Sequence, residues 1–265
     1  MRPTQTLLLN TTAIELLPAA LLRARSNADA RVLAQADWLL RRKRDGKYLA
    51  AQLPHGLMPL IPRLAREPGL DEALDLLHTS ARRTTQALDA VLPIDGLQRR
   101  LTQLGIGADA YVAQTGLDLI AEPAALHLAG RDRFARPLWL SAGAARAWRQ
   151  LRAAALREDV VLDAISGYRS HDYQLGIFER KFARGLTLAQ ILAVNAAPGF
   201  SEHHSGDAVD IGTPGEPPAE ESFESTAAVA WLQTHAGRFG FRLSYPRDNP
   251  HGIVYEPWHW RWWPA

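Results

Sequence analysis

The stretch Gly199-Phe-Ser-Glu-His-His-Ser-Gly-Asp-Ala-Val-Asp-Ile-Gly212 gathers histidines and carboxylates on either side of a glycine, inside a run that otherwise reads as strand and turn. Imidazole nitrogen and carboxylate oxygen are good donors for a borderline cation. A bend between them lets one short segment supply two of the three protein ligands that a catalytic zinc needs. With Gly206 making the turn, Ala208 and Asp210 fall on one face of the outgoing strand and Val209 on the other. That alternation sets Asp210 beside a small apolar residue and away from solvent. His203 and Asp210 are the candidate ligands, although spacing alone does not separate His203 from the adjacent His204. Asp207 completes the polar turn.

The third ligand must come from elsewhere. His259 is the best placed by context, because it lies in the strand-like run Glu256-Pro-Trp-His-Trp-Arg-Trp-Trp263, whose tryptophans would shield a site from bulk water. Glu256 stands three residues before it. Water activated by a metal must still give up a proton as it attacks a carbonyl, and the leaving amine must receive one, so a carboxylate beside the metal is the natural carrier. Pro257 disfavours helical geometry at Glu256 and holds that carboxylate on extended chain. Arg169 closes a buried strand in the turn Ser166-Gly-Tyr-Arg-Ser170. There it can bind a substrate carboxylate bidentately or stabilise the oxyanion formed when water attacks. Ser201 and Gln174 are candidates for hydrogen bonds to substrate or to the catalytic groups.

Those residues need elements to position them. Val160–Ile165 is an apolar, β-branched run that predicts a buried strand, with helices expected over 172–182, 187–196 and 226–238. Ser141 can cap an alanine-rich helix through Leu156, preceded by short strands at 126–129 and 137–140. Phe241–Tyr245 and Ile253–Glu256 read as strands joined by a polar turn. Helices mixed with hairpin-joined strands give an α+β class. Residues 1–120 read as mainly helical. Asn27 is a cap for a helix through Val32, Leu33, Ala36, Leu39 and Leu40 that stops at Gly46, and the basic run Arg41-Arg-Lys-Arg44 suits its last turn. An Asp45-Gly46 hairpin is the competing reading. Further helices are expected over 71–92 and 97–104. The expected division is a helical N-terminal extension, 1–120, and a catalytic domain, 121–265.

Composition narrows the classes. The chain has 265 residues, enough for a sizeable core, and contains no cysteine. Thiolate zinc sites, disulfides and cysteine nucleophiles are excluded together, which leaves His, Asp and Glu to hold any metal. A formal net charge of +2 gives no argument for a nucleic-acid partner. No run approaches the ~18 apolar residues of a membrane span. Residues 1–10 hold only three consecutive leucines and no convincing signal peptide, so the expectation is cytoplasmic by default, or periplasmic if exported by another route.

Three blocks, Ser166-Gly-Tyr-Arg-Ser170 with Gln174, then Ser201-x-His203-x-x-Gly206-x-Ala208-x-Asp210, then Glu256-Pro-Trp-His259, together resemble the signature of the VanY-like zinc D-alanyl-D-alanine carboxypeptidases. The resemblance covers about residues 125–265, with the blocks in order. It implies a small antiparallel-sheet zinc peptidase domain with Zn2+ held by His203, Asp210 and His259, and so favours His203 over His204. It implies Glu256 as general base, Arg169 against substrate or transition state, and Ser201, Gln174 and Tyr168 as substrate-binding groups. It also implies peptidoglycan stem peptides or muropeptides as partners, through loss of a terminal D-alanine.

Overall fold

The computed structural model describes residues 6–80 and 89–264. The chain divides into two compact units, one formed by the segment up to Pro93 with Pro123–Leu128, the other by Ile94–Glu122 with the segment from Ala129 onward. The expected boundary between residues 120 and 121 therefore falls inside the second unit, which begins at Ile94.

The first unit is built on an antiparallel meander, and this corrects the expectation of a mainly helical N-terminal region. Strands β1 (Leu7–Asn10), β2 (Ile14–Pro18), β3 (Trp38–Arg42), β4 (Tyr48–Leu53) and β5 (Gly56–Pro59) pair in sequence. The start of β6 (Ala125–Arg131) joins on the far side of β1, with Leu8 opposite Leu126. Helix α1 (Asn27–Gln35), capped by Ser26, ends before Leu39 and Leu40, which belong to β3. Leu40 packs with Ile14, Leu16 and Leu49 under Leu70, Ala73 and Leu76 of α2 (Leu70–Ser80). Leu39 packs on the opposite face with Ala36 and Ala51, alongside Val32 and Leu33 of α1. A strand covered on both faces shows no polar alternation, and its apolar residues merged with those of α1 into a helical period. The Asp45-Gly46 hairpin is the reading that holds, with Gly46 at φ 70° and reciprocal bonds tying Arg42 to Gly46 and Lys47. Two residues of the basic run form ion pairs, Arg41 with Glu15 and Arg42 with Asp45 and Glu67. Of the helix expected over 71–92, residues 81–88 lie outside the described residues.

The second unit contains strand β7 (Pro137–Leu140) and an antiparallel sheet in the order β10-β11-β9-β8, made of β8 (Asp163–Ser166), β9 (Ala208–Gly212), β10 (Phe241–Leu243) and β11 (His259–Trp262). The segment Ile253–Glu256, expected as a strand, is not in the ladder, and β11 takes its place beside β10. Helix α5 (Ala142–Leu156) begins at Ser141, whose hydroxyl accepts the Ala144 N–H, a cap typically worth ~1 kcal/mol. With α8 (Ala227–His235) it covers one face of the sheet, where Trp148, Leu151, Val229 and Leu232 meet Val209, Ile211 and Trp260. The second core holds Phe178 of α6 (His171–Ala183), Ile191 of α7 (Leu188–Leu192), Phe200, Tyr245 and Ile253. Residues of α3 (Leu97–Gln103) and α4 (Ala108–Thr115) complete it, with Leu97, Leu101 and Tyr111 buried there.

One glycine is required by close approach. A Cβ on Gly167 would lie 2.7 Å from Leu138 and 2.9 Å from the Trp139 carbonyl oxygen. Backbone cannot yield as a side-chain tip does, so Gly167→Ala should lower stability by about 1–3 kcal/mol, measured by denaturant unfolding at constant m-value.

Candidate metal centre

Strand pairing brings the outer ligands together. In the β9–β11 ladder His259 is directly opposite Asp210, and Trp260 opposite Val209. His259 and Asp210 therefore share the face turned away from the α5–α8 core. His203 reaches the same place from a 3-10 turn, Glu202–Ser205, which ends at Gly206 with φ 77°. That left-handed bend is inexpensive only for glycine. One ligand atom from each of His203, Asp210 and His259 lies within 4.8 Å of the others, and all three residues are buried.

Hydrogen bonds at the far side of each ring decide which nitrogen faces the centre. His203 Nδ1 donates to the Gly167 carbonyl at 2.7 Å, leaving Nε2 with its lone pair toward Asp210 Oδ1, 3.2 Å away. His259 Nε2 donates to Glu202 Oε2 at 2.8 Å, and its Nδ1 faces Asp210 Oδ1 at 3.1 Å. A partner that fixes the tautomer and raises the basicity of a metal-binding ring is typical of such sites. Glu202 is held in turn by Arg261, 3.1 Å from Oε1. Glu202 lies in the stretch singled out from the sequence but was assigned no role there. A hydrogen bond to a ligand 57 residues away carries no local signal.

Charge at the centre calls for a cation. Burial would raise Asp210, but the imidazoles of His203 and His259 and the Arg169 guanidinium hold it well below the usual carboxylate range. Burial opposes ionisation of Glu202 as well, yet its bonds to His259 and the nearby Arg261 bring it down to about 2. His203 is pushed down to about 4, first by burial and then by Arg169, so its ring is neutral and free to donate a lone pair. In the metal-free protein His259 is driven up to about 10: burial opposes its charge, but Asp210 and Glu202 outweigh it. The buried Nε2 of His203 has no hydrogen-bond partner. A buried lone pair without a donor, beside the ionised Asp210, is the environment a divalent ion completes. The residues fit zinc.

Glu256 and Arg169 flank the centre. Glu256 Oε2 lies 3.8 Å from His259 Nδ1, and the backbone N–H of Glu256 donates to Tyr245. Burial is the main cause that pushes Glu256 up to about 7, where a carboxylate exchanges protons readily near neutrality. Arg169 Nη2 lies 3.3 Å from Asp210 Oδ2. The other candidates make hydrogen bonds around these groups. Ser201 is buried at the head of the 3-10 turn, where its carbonyl accepts the His204 N–H. Gln174, 1% exposed, donates from Nε2 to the Ala196 carbonyl. The Tyr168 hydroxyl donates to Glu122. His204 braces the loop, its Nδ1 donating to the Arg169 carbonyl and its Nε2 accepting the Gly199 N–H. Asp207 accepts from the Ser141 hydroxyl at 2.5 Å.

Residues 137–265 match the family model described as VanY, D-alanyl-D-alanine carboxypeptidase. The chain is 33% identical over 131 residues to the bifunctional D-Ala-D-Ala dipeptidase and D-Ala-D-Ala carboxypeptidase VanXYC of Enterococcus gallinarum, a match covering 47% of this chain and 67% of that protein. This chain belongs to the VanY-like D-alanyl-D-alanine carboxypeptidase family. The putative carboxypeptidase YodJ of Bacillus subtilis (strain 168) is 40% identical over 124 residues, which is 45% of this chain and 44% of that protein. The chain thus spans less than half the length of YodJ. A solved structure of the vancomycin resistance D,D-pentapeptidase VanY in complex with Zn(II) is 31% identical, with a TM-score of 0.40, covering 47% of this chain and 73% of that chain.

Two outcomes follow from this geometry. His203→Ala and His259→Ala should each lose stoichiometric zinc by elemental analysis, whereas Glu256→Gln should retain it. In the metal-free protein the raised Glu256 disfavours its own ionisation. Folding therefore binds more protons than the unfolded chain between pH ~4.5 and ~7, and stability falls as pH rises through that window. Glu256→Gln should accordingly raise the unfolding midpoint of the metal-free protein at pH 8 and leave it unchanged at pH 4.

Proposed function

We propose that this chain is a zinc-dependent carboxypeptidase that removes the C-terminal D-alanine from peptidoglycan stem peptides. The reading rests on one observation. Three converging ligand atoms lie beside the half-buried Glu256 carboxylate, raised to about 7, with Arg169 against Asp210. His203 Nε2, Asp210 and His259 Nδ1 would hold the ion. Zinc bound there lowers the pKa of water toward ~7 and polarises a carbonyl oxygen.

This chain's own residues do the rest. Glu256, with its pKa near neutrality in the metal-free site, takes the proton that water gives up on attack and delivers it to the departing amine. Arg169 is pinned by Asp210 through one amine, and its Nε has no hydrogen-bond partner. Its guanidinium is free to donate to the oxyanion or to the terminal carboxylate. Glu202 keeps the His259 ring in the orientation that presents Nδ1, and the Gly167 carbonyl does the same for His203. The buried Tyr245 ring, its centroid 4.8 Å from that of His259, limits bulk water around these groups.

Purified zinc-loaded protein incubated with defined tri-, tetra- and pentapeptide stem peptides should release one D-alanine from the pentapeptide alone, read as the mass of the shortened product. Release from the tetrapeptide would instead assign L,D specificity, and cleavage of cross-linked dimers an endopeptidase. Zinc binding with no product from any of them would assign a non-catalytic wall-binding module. Glu256→Ala should abolish turnover with zinc retained, and Arg169→Ala should cost on the order of 100–1,000-fold in turnover.

A further inference from the structure

The second unit holds a buried carboxylate that the chemistry above does not use. Glu122 is 5% exposed and follows the segment that carries α3 and α4. Its Oε1 accepts the His171 backbone N–H at 2.9 Å, and its Oε2 accepts the Tyr168 hydroxyl. Next to it the His171 ring donates from Nε2 to the Ile120 carbonyl at 2.7 Å and packs edge-on against His204, centroids 4.4 Å apart. One side chain thus grips a loop at two points three residues apart. Between them sits Arg169, whose N–H donates to the His203 carbonyl and whose carbonyl accepts from His204 Nδ1. Just before them is Gly167, whose carbonyl fixes the His203 ring.

We propose that Glu122, which lies outside the family-matching residues 137–265, is a positioning residue that holds the Gly167–His171 loop so that Arg169 and His203 face the metal centre. Its turnover consequence rests on the function proposed above, and its metal-binding consequence does not. The physical reason is the cost of its removal. Without the carboxylate, a buried N–H and a part-buried hydroxyl lose the Glu122 acceptor, and the loop must move to recover those hydrogen bonds. The clamp has company in the same segment. Tyr111 Oη accepts the Ala197 N–H at 3.1 Å, the Ile120 N–H donates to Gly199, and Thr115 O meets His251 Nδ1 at 2.8 Å. Each bond ties 94–122 to chain leading into the ligand turn or toward Glu256.

The test uses the full chain and the variants Glu122→Ala, Glu122→Gln and Tyr168→Phe. Zinc affinity is measured by competition with a chromophoric chelator, thermal unfolding on the same samples, and kcat and KM per zinc-loaded molecule on a pentapeptide ending in D-Ala-D-Ala. Partners directly behind a ligand are worth roughly 10–100-fold in metal affinity, and Glu122 stands one bond further out. Glu122→Ala should therefore weaken zinc binding about three- to tenfold and lower kcat about tenfold. Glu122→Gln, which keeps an acceptor for the His171 N–H, should recover both to within about threefold of wild type. Added to Arg169→Ala, Glu122→Ala should cost less turnover than it does alone. Wild-type zinc affinity and kcat in Glu122→Ala would overturn the proposal, even with a lower unfolding midpoint, because the carboxylate would then be a packing group only. If Glu122→Ala does not fold, Tyr168→Phe removes one grip alone, and wild-type affinity together with wild-type kcat there overturns it equally. A wild-type protein that binds zinc and cleaves no peptide defeats the proposed function, and the affinity measurements still decide the role of Glu122.

Discussion

The register of the β9–β11 ladder is the constraint on which the metal centre depends. Pairing His259 with Asp210 sets an imidazole against a carboxylate across two strands that are 49 residues apart in sequence. Because side chains alternate along a strand, a slip of β11 by one residue would turn His259 into the α5–α8 core and bring Trp260 to the site. The register is held by that core: Val209, Ile211 and Trp260 are nearly fully buried beneath Trp148 and Leu232. Apolar packing on one face thus fixes polar geometry on the other.

Within that frame, environment separates carboxylates that are chemically alike. Glu202 and Asp210 both sit against imidazole and guanidinium groups and stay ionised, at the cost of burial. Glu256 lies one step further from positive charge, with Asp210 and Glu202 nearby, so burial dominates and its proton is held to about pH 7. Pushing similar acids apart in this way gives one a fixed charge and another an exchangeable proton. The neighbouring histidines divide in the same manner. His203 turns a bare nitrogen to the centre, while both ring nitrogens of His204 are used on backbone groups, one donating to Arg169 and one accepting from Gly199.

The segment 94–122 shows how a site extends past the residues that carry a family's signature. Its apolar side chains share a core with Phe178, Phe200 and Tyr245, and its polar groups grip the turns that precede His203 and follow Ser166. A loop that presents an arginine and a backbone carbonyl takes its precision from what it is tied to.

Residue type and short spacing were enough to name Asp210, Glu256 and His259, and the family resemblance to prefer His203 to His204, because a metal centre of this kind needs specific donors and the chain places them in two brief blocks. The α+β class and the helices after Ser141 and Ser170 were legible for a similar reason, since caps and periodicity act over a few residues. The N-terminal strands were not: Leu39 and Leu40 are buried on opposite faces of one strand, so their pattern imitates the helix beside them. Nor were the partners Glu202 and Glu122, whose carboxylates act on His259 and on Tyr168 and His171 across gaps of 57, 46 and 49 residues. The sequence by itself determined which donors exist and where the chain turns. Only the tertiary structure decided which donors meet and which nitrogen each histidine presents, because hydrogen bonds and strand register join residues that no local pattern relates.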